Sequence, residues 1–522
     1  MRRSIRLVAL LAAVAVALCG CSLLNRQPQE IANEISLPEP AQEDQDMILG
    51  ERRSGRTVDV TLYFPASDGA GFSTVTRSIR AEQGEELLEA AVTALLSAHP
   101  GNESMSLSNG DTRLLSCEYA CETATVNLSI DARSAQNPQE LLALETAIGN
   151  TLLGIDGVKG VNVLIGGQSE GFWQLPLGVQ TETVSSVTAS YAQLQAERDR
   201  LRQADAMPVS RKVLVYFPTS DSSWLVPELR DAVFHTSDFA GALVALLQSG
   251  PLDGTCAIPS IPEGVELLDE HPEISTLPGG ERVLSLNFSA ALANYLAFSG
   301  LEVWELAGSI VLTACSFLPE IDAVRIMVNG DPITICEMGD GIVSFPEGLM
   351  RRSDFASRVG SVASLYLVNQ NDRLQLVRRA VSTRSAYSPR SLITKLFSYA
   401  GGGGAVVRLP VPRSLYPEDL LGISVSGGIA RVNLSAGFYR ACQSLSPEDE
   451  RNLVYAMVNT LCQLEDIRAV RFYVEGLAAD TLAGSIYLKS PLMPNPGIVA
   501  LPEPAATEAP LATEPPLATP EP

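Results

Sequence analysis

Apolar and polar residues alternate in several short segments, and these segments recur in three sets along the chain. The first, Val-Thr-Leu-Tyr-Phe-Pro at 60–65, returns at 213–218 and more weakly at 363–367. A second, which carries an asparagine near its end, occurs at 124–129, 284–289 and 430–435. Alternation of this kind predicts a β-strand with one buried face. The order and spacing of the segments therefore predict three copies of one structural unit.

Between these strands the apolar residues recur at helical spacing. A first helix is predicted in each unit, at 87–96, 239–247 and 392–397. A second is predicted to begin near a capping side chain, at Asn137, Ser299 and Ser446. It leads into a last strand at 161–165, 324–328 and 470–474. Each unit then reads strand, strand, helix, strand, strand, helix, strand. This predicts an α+β fold of three tandem repeats, each a small mixed sheet with two helices on one face.

Two positions carry the same residue type in every copy, one an asparagine and the other a glycine. The alternating strand carries Asn127, Asn287 and Asn433, and the last strand is followed by Gly167, Gly330 and Gly476. We interpret the asparagines as side chains that stabilise the turn after their strand, in preference to a role in chemistry. These six residues are the repeat signature. Cys315 and Cys462 align with Leu153 in the second helix, so we expect them to be buried, inert thiols.

Composition outside the repeats indicates the connecting segments. A charged stretch at 191–202 predicts an exposed helix, and the Pro-, Ala-, Thr- and Glu-rich C terminus predicts an extended, disordered tail. The predicted organisation is a signal peptide (1–20), a flexible stalk (21–55), a first repeat (56–180), a linker (181–207), a second repeat (208–335), a linker (336–359), a third repeat (360–490) and the tail (491–522).

The N terminus has the layout of a bacterial secretory signal. Arg2, Arg3 and Arg6 precede an apolar run at 7–18, which is shorter than the roughly 20 residues that span a membrane. The run ends in Leu-Cys-Gly-Cys, which resembles a lipobox, so we predict that Cys21 is lipidated. An uncleaved anchor helix or an ordinary signal are the alternatives. The prediction is a lipoprotein held to the outer face of the cell membrane.

Charge and residue content exclude several classes of function. A net charge of −23 argues against binding to nucleic acid. Nine cysteines in 522 residues are too sparse for a disulfide scaffold, and Cys117 with Cys121 lacks a second pair to complete a metal site. The three histidines share no motif. The sequence therefore predicts a protein without a catalytic site, metal or cofactor.

An arginine recurs near the end of the second strand in every copy, at Arg77, Arg230 and Arg378. These arginines either mark a surface that contacts a partner, or they are charges on an exposed edge strand that discourage aggregation.

The strands and turns described above resemble the GerMN domain of sporulation and spore-germination lipoproteins. The residues that carry the resemblance are the Tyr-Phe strand, Leu-Leu-Gln-Ser-Gly-Pro at 246–251, the Val-Asn-Leu-Ser strand, and Asn-Thr-Leu at 459–461 leading to the strand at 470–476. The resemblance implies ring-building modules and a part in the channel complex between mother cell and forespore. It also implies self-association or membrane-protein partners. This chain has three copies where the family's namesake has two.

Two functions follow as hypotheses. The favoured one is a non-enzymatic, membrane-tethered assembly or scaffold component in sporulation and germination. The alternative is a cell-surface binding module for wall glycan, peptide or another small ligand. Repetition favours both over an enzyme, because added copies multiply contact surface more readily than active sites.

Overall fold

The structure is a computed structural model that describes residues 49–500 with short gaps. The gaps are 54–55, 83, 99–103, 106, 108–110, 135–136, 204–206, 270–271, 273, 340 and 402–405. The predicted signal peptide, Cys21, most of the predicted stalk and residues 501–522 of the predicted tail lie outside the described residues. Within the described part, no helix is both long and apolar enough to cross a membrane.

The first repeat follows a short N-terminal strand, β1 (Gly50–Arg53). Its elements are β2 (Arg56–Pro65), β3 (Phe72–Ala81), α1 (Glu85–Ser97), β4 (Leu114–Ala120), β5 (Thr123–Leu128), a 3-10 turn (Ile130–Ser134), α2 (Pro138–Leu153), β6 (Gly160–Ile165) and β7 (Gln168–Ser169). The chain then passes through β8 (Gly171–Phe172), β9 (Leu175–Pro176) and α3 (Val187–Gln203).

The second repeat has the same order with one added helix. Its elements are β10 (Val209–Pro218), β11 (Leu225–Phe234), α4 (Phe239–Gln248), β12 (Ile274–Thr276), β13 (Arg282–Phe288), α5 (Ala291–Ser299), α6 (Val303–Phe317), β14 (Ala323–Val328) and β15 (Asp331–Pro332). The connection to the third repeat contains β16 (Ile335–Met338), β17 (Gly341–Ser344), β18 (Leu349–Met350) and α7 (Arg352–Phe355), with 3-10 turns at Pro346–Gly348 and Ala356–Arg358.

The third repeat has the predicted order with one short strand and one helix added. Its elements are β19 (Gly360–Asn369), β20 (Leu374–Ser382), α8 (Pro389–Phe397), β21 (Val407–Arg408), β22 (Leu420–Ser426), β23 (Ile429–Leu434), α9 (Ala436–Cys442), α10 (Pro447–Leu461), β24 (Ala469–Val474) and β25 (Leu477–Ala478), with 3-10 turns at Arg384–Tyr387, Pro417–Asp419 and Pro496–Ile498. The predicted α+β class and the three tandem repeats are confirmed.

Each repeat contains two sheets, and this detail differs from the predicted single sheet. The opening strands form a separate antiparallel hairpin, β2–β3, β10–β11 or β19–β20, and in the third repeat β21 adds to the edge of β19. In the other sheet, the strand with the signature asparagine pairs antiparallel with the strand before it and parallel with the last strand. The second helix packs on both the hairpin and the last strand, as α2 does on β2 and β6. Alternation predicts a strand's buried face, but it does not say which strand is its neighbour.

Helix starts agree with the capping signals in two repeats of three. Asn137 accepts a hydrogen bond from the backbone N–H of Glu140, and Ser446 accepts one from Asp449. The start predicted at Ser299 is wrong, because Ser299 is the last residue of α5. Gly300 ends that helix with a φ of 76°, and α6 begins three residues later in a capping box closed by Glu305.

Three segments predicted to be open are packed in the structure. β1, from the predicted stalk, pairs in parallel with β22 of the third repeat. The linker 336–359 is also folded, because β18 pairs with β14 and Phe355 is fully buried. Residues 491–500 of the predicted tail bridge back to the third repeat at Val470 and Leu374. The charged stretch at 191–202 does lie in a helix, α3, but this helix packs on α2 and is not fully exposed. Composition alone did not show that these segments pair with strands of the repeats.

The two linkers should therefore differ in their susceptibility to trypsin. We expect cleavage after Arg200 or Arg202 in α3, where Arg200 is exposed, long before cleavage after Arg352, whose side chain is 6% exposed. Proteases cut where the backbone opens locally, and buried segments open least. The measurement is the order of fragments by mass spectrometry in a time course. Equal rates at both linkers would contradict the folded second linker.

Candidate functional site

The repeat signature forms the same hydrogen bond in all three copies. The side-chain oxygen of Asn127 accepts from the N–H of Gly167 at 2.8 Å. The pairs Asn287–Gly330 and Asn433–Gly476 have the same geometry and the same 2.8 Å distance. The three glycines have φ values of 84°, 90° and 80°, a region that residues with a Cβ rarely adopt. Each pair thus joins the end of one parallel strand to the turn that follows the other.

Removing one signature asparagine should destabilise its own repeat. We expect Asn433→Ala to lower the free energy of unfolding by about 1 kcal/mol, because the N–H of Gly476 loses its acceptor. The measurement is denaturant unfolding followed by circular dichroism. Asn294→Ala is the control, since Asn294 is exposed on α5. Asn127→Ala and Asn287→Ala should have similar effects, so an unchanged stability in all three variants would contradict the assignment.

A second shared contact was missed in the sequence. The hydroxyl of Thr151 in α2 accepts a hydrogen bond from the N–H of Tyr63 in β2 at 3.1 Å. The corresponding pairs are Thr313 with Tyr216 and Thr460 with Tyr366, each at 3.0 Å. The threonines stand two residues before the aligned Leu153, Cys315 and Cys462, so the repeat alignment contained the signal. This contact fixes the second helix against the opening strand in every copy.

The cysteines lie in surroundings that disfavour the thiolate. Cys315 is buried, and burial raises its pKa to about 11. Cys462 is only half-buried, which differs from the prediction, yet burial still raises its pKa to about 12. Burial likewise raises the pKa of Cys121 to about 11. A thiol is nucleophilic only when it is deprotonated, so these side chains are unreactive at neutral pH.

Other candidate side chains are scattered over the described surface. Arg230 pairs with Glu228 on its own strand at 2.8 Å, whereas Arg378 pairs with Asp253 of the second repeat at 2.9 Å. Arg77 and His235 are exposed, and His99 and His271 lie outside the described residues. In the part of the chain that the structure describes, no three potential ligands gather to hold a metal ion.

The first and second repeats meet through a buried ion pair and backbone contacts. Arg352 in the second linker pairs with Glu118 of β4 at 2.8 Å, and their side chains are 6% and 19% exposed. The Ser169 hydroxyl donates to the carbonyl of Leu318 at 2.9 Å, and the Ser169 carbonyl accepts from the N–H of Glu320 at 2.9 Å. These contacts join unlike faces of the two repeats.

The first and third repeats meet around Arg53, which follows from the packing of β1. Its side chain is 4% exposed, pairs with Asp466 at 2.7 Å and donates to the carbonyl of Tyr387 at 2.8 Å. The ring of Tyr387 stacks on Tyr119 of the first repeat, with centroids 5.0 Å apart. With Arg378 and Asp253 between the second and third repeats, every repeat contacts both others.

One surface lies outside every sequence prediction. A cleft of about 590 Å³ separates α2 from α3, and the segment 177–184 lines it. Glu145 of α2 also lines the cleft, and its Oε1 is buried without a hydrogen-bond partner. Burial raises the pKa of this carboxyl group well above its ordinary value, the charge of Glu170 raises it further, and Arg133 opposes the shift.

Comparisons with known proteins find three separate matches to one family along this chain. The family model Germane, described as sporulation and spore germination, matches residues 61–171, 214–334 and 364–480. Among solved structures, the tandem GerMN domains of the sporulation protein GerM from Bacillus subtilis are 18% identical, with 57% of this chain and 99% of that chain covered and a TM-score of 0.22. No curated protein matches the sequence.

Two further structures match parts of the chain. A putative lipoprotein from Clostridium perfringens is 19% identical, with 26% of this chain and 87% of that chain covered and a TM-score of 0.18. The first GerMN domain of GerM from Bacillus subtilis is 18% identical, with 25% of this chain and 93% of that chain covered and a TM-score of 0.19.

Proposed function

This chain belongs to the Germane family of sporulation and spore germination, and we propose that it serves there as a membrane-tethered assembly protein without catalytic activity. The tether is the lipid on Cys21, at the outer face of the cell membrane. The partners are further copies of the chain or membrane proteins of a channel or ring complex between mother cell and forespore.

The proposal rests on one observation: the polar side chains that all three repeats share form hydrogen bonds to the backbone. Each signature asparagine is bonded to a backbone N–H, and so is each shared threonine. Side chains committed to holding the backbone are not arranged to act on a substrate. Each added copy of the module adds outer surface. An assembly protein contacts its partners through such surface.

The second repeat offers apolar surface for a partner. Phe298, at the end of α5, is 90% exposed, and Ile335 and Ile342 on the β16–β17 hairpin are 57% and 72% exposed. The first repeat has a hairpin at the corresponding place, β8–β9, but three of its four strand residues are buried, and among the residues described no hairpin follows β25 in the third repeat. Exposed apolar residues at specific elements favour contact with another protein.

A single exchange tests both the tether and the function. In a spore-forming host, the chain with Cys21→Ala should leave the membrane fraction and should support spore formation and germination no better than a deletion of the gene. The matched control is Cys19→Ala, which removes a neighbouring thiol but leaves the lipobox cysteine. The measurements are membrane fractionation, lipid labelling and spore counts.

The assembly role has its own readout. Cross-linking of the wild-type chain in sporulating cells should recover further copies or membrane proteins. If deletion leaves spore formation and germination unchanged, or if the chain is recovered without any partner, the proposed function is wrong. Membrane retention of the mature Cys21→Ala chain would contradict the tether alone.

A further inference from the structure

Two arginines lie side by side on the sheet of the third repeat, and neither has an acidic partner. Arg431 of β23 is the register partner of Arg471 of β24. Their neighbours along the strands, Ala430, Val432 and Phe472, belong to the core beneath the helices, so the arginines occupy the opposite, outer face. Among the described residues, neither guanidinium group forms an ion pair or a hydrogen bond, although Arg431 is only 7% exposed. A buried positive charge lowers stability unless an anion pairs with it.

Both guanidinium groups are accessible from this outer face. Only Nε of Arg471 is buried, so its terminal nitrogens and those of Arg431 reach the surface. The ring of Tyr473 covers one side of the Arg471 guanidinium, 5.6 Å from its central carbon. The same row of the sheet continues through Ser424 of β22 to Arg52 of β1. β1 is the only described element outside the third repeat that packs closely on β22, β23 or β24.

The acidic residues that flank β24 in the sequence are engaged elsewhere. Their partners are Arg53 for Asp466 at 2.7 Å, the N–H of Ala436 for Glu475 at 2.7 Å, and Lys489 for Asp480 at 3.1 Å. The strand positions next to the arginine pair on the outer face are uncharged, and they are Ser424, Ile429, Asn433, Ala469 and Tyr473. The anion that this pair needs therefore comes from outside the described part of the third repeat.

The arginine pair is specific to the third repeat. The signature asparagine, two residues after Arg431, sets the comparison between copies. The first repeat has Thr125 paired with Asn162, and the second has Ser285 paired with Arg325. In the second repeat, Nε of Arg325 donates to the carbonyl of Glu347 in the folded linker at 3.0 Å. Two adjacent unpaired positive charges thus occur at this place in one copy of the three.

The segment just before β1 has the opposite charge and lies within reach. Residues 39–46 contain Glu39, Glu43, Asp44 and Asp46 and no lysine or arginine. Because β1 pairs with β22, it lies two strands from β23 and three from β24, about 10 and 14 Å away. Residues 43–50 can extend over about 23 Å. Gly50 has a φ of 74°, so the chain can change direction sharply where it enters β1.

We propose that the acidic segment 39–46 binds across the outer face of the third repeat and pairs its carboxylates with Arg431 and Arg471. A carboxylate matches the fork of a guanidinium group. Attachment to β1 keeps the segment at an effective concentration in the mM range, which favours it over free anions. The chain then leaves for the membrane from this face. That consequence rests on the proposed lipid on Cys21, whereas the contact itself does not.

Two variants of the purified full-length chain test the contact by photo-cross-linking. The neutral-segment variant replaces the four acids of 39–46 by Gln or Asn, which leaves the described fold untouched, and the second variant combines Arg431→Gln with Arg471→Gln. With p-benzoylphenylalanine in place of Gln45, we expect cross-links to 429–433 and 469–473, located by mass spectrometry. Their yield should fall at least fivefold in either variant and at 1 M salt. Arg440→Gln, at an exposed position of α9, is the control and should not change the yield.

A synthetic peptide of residues 37–47 distinguishes this occupant from an external one. By NMR titration it should bind the neutral-segment variant at least tenfold more tightly than the wild-type chain, whose own segment competes. Replacing both arginines in the neutral-segment variant should abolish that binding.

Equal affinity of the peptide for the wild-type chain and the neutral-segment variant would show that the outer face is open, and would overturn the proposal. Unchanged cross-links in both variants would do the same. Inorganic phosphate that binds the wild-type chain as tightly as the neutral-segment variant would assign the arginine pair to an external anion instead. Spore phenotypes and lipid labelling play no part in these outcomes, so failure here is distinct from failure of the assembly role.

Discussion

Replacing Glu450 by alanine should lower the free energy of unfolding by about 3 kcal/mol, because three backbone N–H groups lose their acceptor at once. The Glu450 carboxylate is fully buried at the start of α10. It accepts hydrogen bonds from Leu482 and Ala483 at 2.9 and 2.7 Å and from Ser485 at 2.6 Å. These bonds hold the chain after β25 against the second helix.

Glu448→Ala is the matched control for this effect. Glu448 lies two residues earlier on the same helix and pairs with Arg451 at 3.0 Å, but the Glu448 side chain is 58% exposed. An exposed pair of this spacing contributes about 0.5 kcal/mol or less. Denaturant unfolding of both variants gives the comparison. Similar, small losses in the two variants would show that the bonds of Glu450 do not hold the segment.

Replacing Arg352 by alanine is the second large effect, and we expect a loss of about 3 kcal/mol. The side chain of Arg352 is almost fully buried between the first and second repeats. It bonds to Glu118 at 2.8 Å and to the Ser316 hydroxyl at 3.2 Å. Without the guanidinium, the Glu118 carboxylate remains mostly buried and has lost its ion-pair partner. The free energy lost by leaving this carboxylate buried and unpaired exceeds the net stabilisation that the intact ion pair provides.

Arg384→Ala is the control for Arg352→Ala. It tests whether the loss of stability depends on the burial of the ion pair, since Arg384 also forms an ion pair between repeats. Arg384 pairs with Glu85 across the first and third repeats at 2.9 Å, yet its side chain is 82% exposed. Solvent screens such a pair, and we expect its loss to cost less than about 1 kcal/mol. Hydrogen exchange adds a local readout, since Arg352→Ala should speed exchange in β4 and α7. Equal effects of the two substitutions would contradict the buried junction.

Local pattern was enough to predict the class of fold and the order of its elements. Alternating residues identified the strands, and capping side chains located α2 and α10 at Asn137 and Ser446. The signature residues were recognised because each asparagine and each glycine recurs at one place in every copy. These features depend on residues close in sequence, or on comparison of one copy with another.

Contacts between distant segments were not predictable in this way. The signature asparagine and glycine were known separately, but their hydrogen bond spans 40 residues in the first repeat and 43 in the others. The packing of β1 on β22 joins residues more than 360 positions apart, and nothing in the composition of 50–53 marks them as a strand partner. A register of this kind depends on which edge is free once the repeats have packed.

The sequence by itself determined the repeated α+β unit, its strand and helix order, its signature residues and a strongly acidic surface, because periodicity and charge are local properties of the chain. The tertiary structure decided which sheets form, how the three repeats pack, and which linker is folded. It also left one carboxyl oxygen of Glu145, Oε1, buried without a hydrogen-bond partner beside the cleft between α2 and α3. Burial and hydrogen-bond satisfaction depend on segments brought together only when the chain folds, so no local pattern could have shown them.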